Sequence, residues 1–218
     1  MATEKRIKIL TETEISELFG PPTLNSNDQR FFFALNDAEL AECKRIRERD
    51  HRCMFVVLLG YFKVKPIVLS PGYHQIKQDL KYVCSEVFPG PGLRPFNLTQ
   101  KARVRIYQRI FKLTGHQRWL NKSHSSALIK DLNEHARAWS QPRSLFDRAI
   151  EYLSAQNIAI PGYTVLQDLI SDVVGVTNDQ FVRKLEELIS ADLAVMLSEL
   201  VIGNNSLTLR QLRQSVVV

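Results

Sequence analysis

The chain has 218 residues, of which 44% are apolar and 24% charged, so it is long enough to bury a core and lacks the composition of a disordered chain. Its first residues are too polar for a signal peptide, and the longest apolar run, residues 53–62, is far shorter than the ~20 residues of a membrane span. Three cysteines without a C-x-x-C pair favour neither a disulfide framework nor a structural zinc site. We therefore expect an intracellular protein that has no membrane partner and whose thiols are reduced and mostly buried.

The net charge of +6 is concentrated in the middle of the chain. Residues 51–122 hold 13 Lys or Arg against two acids, Asp79 and Glu86, whereas residues 1–50 (8 basic, 10 acidic) and 123–218 (8 basic, 11 acidic) are slightly acidic. Such a concentrated field attracts polyanions, and nucleic acid is the commonest of these in a cell. Charge alone favours this interpretation no more than that of a solvated basic face.

Helical periodicity runs through most of the chain, and no stretch shows the apolar-polar alternation of a half-buried strand. The first helix is predicted to begin at Thr11, because Thr11 and Glu14 form a T-x-x-E capping box before an apolar run. A second helix is predicted to begin at Asn36 or Asp37 and to run through residue 50.

The next predicted helices supply the core. Residues 53–61 continue as an apolar helix that should form the interior of the first domain and should stop before Pro66. Residues 72–87 are predicted to form another helix with one buried face. The Pro89–Gly92 stretch cannot continue it, so the chain must make an irregular connection there.

A basic amphipathic helix is predicted after Asn97 or Thr99. On a helical wheel, four basic side chains lie within about 80° of one another, while apolar residues fill most of the remainder and Arg103 falls on the apolar side. The four are Lys101, Arg105, Arg109 and Lys112. Unlike an ordinary surface helix, this one has no acids at i,i+4 to relieve the repulsion, which suggests an external anion.

Polar side chains that can pair with DNA follow this helix. Just beyond its end lie Gln117, Arg118 and Lys122. Arg and Gln side chains can pair with base edges, and Lys and Arg side chains can bind phosphates. A tryptophan such as Trp119 is more often a core residue than a base-stacking one. His116 has no neighbours in the sequence that could complete a catalytic set of acid, base and nucleophile. We interpret both as structural.

Plainer helices are predicted beyond residue 122, over 125–139, 144–156, 164–174 and 177–190, the last two forming a helical hairpin. The predicted fold is all-α, with two small helical modules in tandem and helix-turn-helix-like packing. The modules are expected at residues 1–122 and 123–190. Residues 191–218 would start a following region or form a C-terminal helix, and we expect the chain to have been trimmed from something longer.

Four stretches resemble one known family. They are LTETEISELFGPP, DQRFFFALNDAEL and RIRERDHRCMFVVLLGYFK near the N-terminus, and AIEYLSAQNIAIPGYTVLQDLI later in the chain. Their order and spacing are similar to those of the N-terminal region of the replicative transposases of the Tn-three type, which mobilise bacterial class II transposons. The resemblance spans most of the chain.

The resemblance implies a DNA-binding region that recognises the terminal inverted repeats of a transposable element during DNA transposition, a form of DNA recombination. Its partners would be double-stranded DNA, the rest of the transposase and, in the full-length protein, a second copy. The D-D-E catalytic domain of the family lies far downstream, so we expect no enzymatic activity and no cofactor here, with Mg²⁺ bound only in that domain. The implied location is the bacterial cytoplasm, at the nucleoid.

The candidate DNA contacts fall into two ranks. Lys101, Arg105, Arg109 and Lys112 are predicted to face the duplex. The second rank contains Arg103, Lys63, Lys65, Lys77, Lys81, Arg94, Gln117, Arg118 and Lys122. For Arg45, Arg47, Arg49 and Arg52, which alternate with Glu48 and Asp50, we favour internal ion pairing over a DNA role. The alternative function is a helical protein-interaction module that binds an acidic partner or other transposase domains; RNA binding is weaker, because no RNP-like strand or G-x-x-G loop is present.

Overall fold

The structure, a computed structural model, describes residues 6–89 and 94–188. These residues contain nine α-helices, one 3-10 turn, one π-helical turn and no β-structure beyond two isolated bridges, which confirms the all-α prediction. In chain order the helices are α1 (Glu12–Phe19), α2 (Ser26–Phe32), α3 (Asp37–Lys44), α4 (Arg49–Val64), α5 (Lys77–Tyr82), α6 (Gln100–Thr114), α7 (Asn121–Ala136), α8 (Pro142–Ala155) and α9 (Tyr163–Leu188).

The core is built around α4. Every residue from Cys53 to Phe62 is buried, so this part of the helix is enclosed on all sides. A helix that is apolar all round must be covered by other elements, and α2, α3, α5 and α6 all pack against it. The helix ends at Val64, and Lys65 before Pro66 is extended, as the proline predicts. The predicted core helix is confirmed.

Capping side chains fix three helix starts where the sequence places them. The Thr11 hydroxyl accepts from the Glu14 N–H at 3.2 Å, and the Glu14 carboxylate accepts from the Thr11 N–H at 2.8 Å. Asn36 caps α3 through the N–H of its third residue at 2.9 Å. Thr99 caps α6, which ends at Gly115, whose φ of 72° is a left-handed conformation that glycine adopts without strain.

The prediction was wrong for the helix over residues 37–50. The chain leaves helical geometry between α3 and α4, and residues 45–48 form a turn. The stretch RIRERD contains a single apolar residue, Ile46, so no buried face holds it in a helix. The prediction also missed α2, although Asn25 and Asp28 form a capping box at its start. No α2 residue is buried, so it lacks the apolar periodicity that reveals a helix.

Residues 72–87 form three short pieces where one helix was predicted. They are a 3-10 turn at Tyr73–Gln75, then α5, then a π-helical turn at Val83–Val87. Ile76, Leu80 and Val83 are nevertheless buried as their spacing predicts.

The hairpin prediction over residues 164–190 was also wrong, because α9 is continuous across Gly175. A glycine inside a helix costs only about 1 kcal/mol relative to alanine, and no proline follows it to force a turn. Contacts divide the chain into two compact units, residues 1–174 and 175–218. The boundary predicted at residue 122 stays a prediction, and the predicted C-terminal region at 191–218 lies outside the described residues.

Short backbone contacts join distant parts of the first unit. Gln117 donates to the Asn157 carbonyl at 2.8 Å and accepts from Ala159 at 2.9 Å, and Ile160 donates to the Pro66 carbonyl at 2.9 Å. The segments after α4, α6 and α8 are therefore held side by side. This arrangement fixes where the end of α6 lies.

Candidate nucleic-acid interface

The apolar face of α6 locks the helix against the core. Ile106, Tyr107, Ile110 and Phe111 are buried, and the Phe111 ring packs edge-on against that of Phe62, with the centroids 5.7 Å apart. Burial of this face determines the rotation of α6 about its axis. The opposite face must therefore point outward.

That outward face is cationic, as the wheel predicts. Lys101, Arg105 and Lys112 are exposed, and Arg109 is half-buried. Arg103, which the wheel places on the apolar side, is half-buried and donates to the Leu98 carbonyl at 3.4 Å. Their contact with DNA stays a prediction.

A cleft of about 340 Å³ lies between α6 and the turn that joins α3 to α4. We call it the basic cleft, because five cationic side chains line it: Arg45, Arg47, Lys101, Arg105 and Arg109. His51 and Glu48 also line it, with the His51 Nδ1 3.1 Å from the Glu48 carboxylate. The structure thus brings three residues of the predicted stripe next to two arginines from a segment more than 50 positions earlier in the chain.

The sequence predicts internal ion pairs for these arginines, and Arg45 forms one with Glu42 at 2.7 Å. The place of Arg45 and Arg47 in the lining of the basic cleft was not predicted. The available signal was the weak apolar pattern of RIRERD, which indicates a turn, and turns place adjacent side chains on several sides. Of the four arginines in this region, Arg49 donates to the Phe88 carbonyl at 3.0 Å and Arg52 lies over the Phe88 ring at 5.8 Å. Both arginines therefore make internal contacts with Phe88.

One acid lies beneath the basic cleft. Glu42 on α3 is buried, and its two carboxylate oxygens contact different arginines: one accepts from Arg45 at 2.7 Å and the other forms a short ion pair with Arg109. Arg109 is therefore partly neutralised by the protein itself. Lys101 and Arg105, by contrast, are exposed and make no ion pair among the described contacts.

The acid Asp79 does not offset the basic surface, because it is buried. Its carboxylate accepts from Gln29 at 2.8 Å and forms a short hydrogen bond with the Tyr61 hydroxyl. Burial, followed by the bond to Asp79, raises the pKa of Tyr61. This polar group joins α2, α4 and α5 inside the core.

Two second-rank lysines are held by protein groups. The Lys63 ammonium lies 2.9 Å from the Glu39 carboxylate and 3.2 Å from the Ala34 carbonyl. Lys65 donates to the Glu17 carbonyl at 2.6 Å, and desolvation lowers its pKa. Neither lysine lines the basic cleft.

A second cleft, of about 250 Å³, lies on the other side of α6. Val68, Leu69, Tyr107 and Phe111 line it, so we call it the apolar slot, and Arg103 and Arg118 also line it. The remaining second-rank residues are exposed but line neither cleft: Lys77, Lys81, Arg94, Gln117 and Lys122.

His116 and Trp119 are half-buried. The His116 ring packs edge-on against Phe62 at 5.0 Å, and Trp119 packs against the core beside His124. Both therefore have the structural contacts that the sequence analysis favours. The three cysteines, Cys43, Cys53 and Cys84, are buried and free, as predicted.

The described residues contain neither a candidate metal site nor a candidate membrane-spanning helix. No group of three or more His, Cys, Asp or Glu side chains is placed to hold a metal ion within them. Nor does any helix in this part of the chain combine the length and apolar character that crossing a bilayer requires.

The fold and the basic cleft define the chain as an all-α domain with a localised cationic surface. It belongs to the family described as domain of unknown function DUF4158, which matches residues 9–173. No curated protein and no solved structure matches the chain.

Proposed function

We propose that this chain binds double-stranded DNA sequence-specifically at the terminal inverted repeats of a transposon, as the N-terminal part of a transposase. The observation that carries the proposal is the basic cleft, in which five cationic side chains from two distant segments meet. The family supports the particular ligand, because the matched domain is found in transposases of the Tn-three family, which the four stretches of sequence also resemble.

In the proposed complex, the basic cleft binds the phosphate backbone of one strand. Lys101 and Arg105 are exposed and form no ion pair with any residue that the structure describes, so their charges are available to phosphates. A helix fits the major groove of B-DNA, which is about 12 Å wide. The exposed Lys112 extends the cationic face by two turns beyond Arg105.

Residues beyond the end of α6 are the proposed readers of base edges. The backbone of Gln117 is fixed by its bonds to Asn157 and Ala159, and its side chain is exposed. Arg118 is also exposed. A rigid backbone with an exposed amide and an exposed guanidinium is suited to directional hydrogen bonds with bases.

The proposal includes no catalysis and no metal cofactor in this chain. Cleavage and strand transfer would belong to a catalytic domain elsewhere in the transposase, which would bind Mg²⁺. The other partners proposed are the rest of that transposase and, in the full-length protein, a second copy.

The second candidate function is that of a protein-interaction module, and the apolar slot favours it. An acidic peptide with apolar side chains could place those side chains against Val68 and Phe111 while its carboxylates pair with Arg103 and Arg118. Such a partner would use the opposite side of α6 from the basic cleft.

Fluorescence anisotropy can separate the two functions. The probes are a duplex carrying the terminal repeat of the encoding element, a scrambled duplex of equal composition, and an acidic peptide with interspersed leucines. We expect the terminal repeat to bind at least ~10³-fold more tightly than the scrambled duplex, as specific DNA-binding proteins do. Equal binding of the two duplexes, or binding of the peptide alone, would refute the proposal.

Footprinting of the same terminal repeat then locates the contact. We expect the double substitution of Arg47 and Arg105 by Ala to remove protection, because both side chains line the basic cleft and are exposed. The matched control replaces Lys130 and Arg137 by Ala, two exposed cations that line neither cleft. An equal loss of protection in both variants would show that the basic cleft is not the contact.

A further inference from the structure

We propose that Glu42 is a positioning residue for DNA recognition, which holds Arg45 and Arg109 in fixed places in the basic cleft. The inference rests on the proposed function, since it concerns how that site distinguishes one duplex from another. Glu42 would touch no DNA itself; it would act through the two arginines.

The Glu42 carboxylate contacts two arginines at once. One carboxylate oxygen accepts from Arg45, three residues later in the chain, at 2.7 Å, and the other accepts from Arg109, which is 67 residues away on α6. The Glu42 side chain is only 11% exposed, whereas those of Arg45 and Arg109 are 64% and 31% exposed. A buried anchor therefore holds two cations that reach the surface.

The negative charge of Glu42 weakens the attraction between the basic cleft and DNA. A negative charge beside five cations reduces the field that a polyanion meets. Without it, however, Arg45 and Arg109 would repel each other and each long side chain would sample many rotamers. Glu42 thus lowers the general attraction of DNA but fixes the geometry of the phosphate contacts. These contacts set the register in which Gln117 and Arg118 would meet the base edges.

The neighbouring Glu39 provides a matched comparison on the same helix. Glu39 is also buried on α3, with a side chain 8% exposed, and pairs with Lys63 at 2.9 Å. Its cation does not line the basic cleft. Loss of the Glu39 charge removes a buried ion pair of the same kind without changing the cleft arginines.

The test compares Glu42→Gln and Glu39→Gln in the 218-residue chain. The probes are a duplex that the wild-type protein selects from a randomised pool and a scrambled duplex of equal composition. For Glu42→Gln we expect scrambled-duplex binding to be unchanged or tighter, with a salt slope steeper by about 0.9, since one more positive charge is free. We expect the preference for the selected duplex to fall about tenfold, the equivalent of one mismatched base pair, because the base-reading residues would lose their fixed register on the duplex.

Glu42→Asp keeps the charge but shortens the side chain, so it too should lose preference while the salt slope stays that of the wild type. It also serves if Glu42→Gln does not fold. A preference that survives in both variants would overturn the inference. So would an equal loss of preference in Glu39→Gln, because Glu42 would then have only a structural role.

The failure of the proposed function gives a different result. If the wild-type protein binds neither duplex, or selects no sequence from the pool, the proposed DNA recognition is wrong. If the wild-type protein selects a sequence and the Glu42 variants keep the same preference, only the positioning role of Glu42 is wrong.

Discussion

The hydroxyl of Tyr107 satisfies both backbone groups of Leu69. It accepts from the Leu69 N–H at 2.7 Å and donates to the Leu69 carbonyl at 3.0 Å. These bonds tie the buried face of α6 to the segment after α4, since Tyr107 and Leu69 are both buried. The outward direction of the basic face is therefore fixed by a polar contact as well as by apolar packing.

Tyr107→Phe should destabilise the protein by about 1–3 kcal/mol, because it leaves a buried N–H and a buried carbonyl without partners. Urea unfolding followed by circular dichroism measures this free energy. Tyr152→Phe is the control, since the Tyr152 hydroxyl makes no hydrogen bond within the described residues. Equal stability of the two variants would contradict the role assigned to Tyr107.

Gly60→Ala should destabilise the protein by about 1–3 kcal/mol through overpacking. A Cβ at Gly60 would lie 2.5 Å from the Phe33 ring, which is itself buried and cannot move aside easily. At Gly175 in α9, by contrast, a Cβ would meet no atom within 4 Å. Gly175→Ala should therefore stabilise the helix by up to about 1 kcal/mol, so thermal or urea unfolding should show opposite signs for the two substitutions.

The Thr11 capping box should make stability depend on pH in the acid range. The hydrogen bond from the Thr11 N–H, then the Thr11 hydroxyl, then Arg143, lower the pKa of Glu14 from 4.5 to about 2. A lowered pKa in the folded state means that the stabilisation is complete above about pH 5 and is lost as the pH falls towards 2. Gln at position 14 can still cap but cannot titrate.

Melting temperatures measured between pH 2 and pH 7 test this expectation. Glu14→Gln should melt below the wild type at neutral pH, and the difference should shrink on acidification. Glu12→Gln removes a charge from the same turn without altering the contact to Thr11. A wild-type advantage that is constant across the range would show that Glu14 does not contribute through its charge.

The salt dependence of DNA binding should show how many DNA phosphates the protein neutralises. If four to six phosphates are neutralised, log K should fall with log salt at a slope of about −4 to −5. Arg105→Gln should make the slope shallower by about 0.9, since one contact is lost. Lys130→Gln, which removes an exposed charge from α7, should leave it unchanged. A flat slope for the wild type would exclude an electrostatic interface.

Local patterns in the sequence predicted the capped helix starts, the buried α4 and the outward face of α6. Each depends on residues within a few turns, since a capping box acts over three positions and a buried face repeats every 3.6 residues. The failures occurred where that pattern is weak. Helix α2 has no buried residue, RIRERD has one apolar side chain, and Gly175 is tolerated inside α9.

By itself, then, the sequence determined that the chain is all-α and that α6 presents positive charge to its surroundings, because composition and periodicity set which face of a helix is buried. Only the tertiary structure decided which cations share a site. Arg45 and Arg47 lie beside Lys101 and Arg105, and Glu42 pairs with Arg109, because of the way α3, α4 and α6 pack together. Contacts across 67 positions depend on the angles and distances between helices, and no local pattern specifies those.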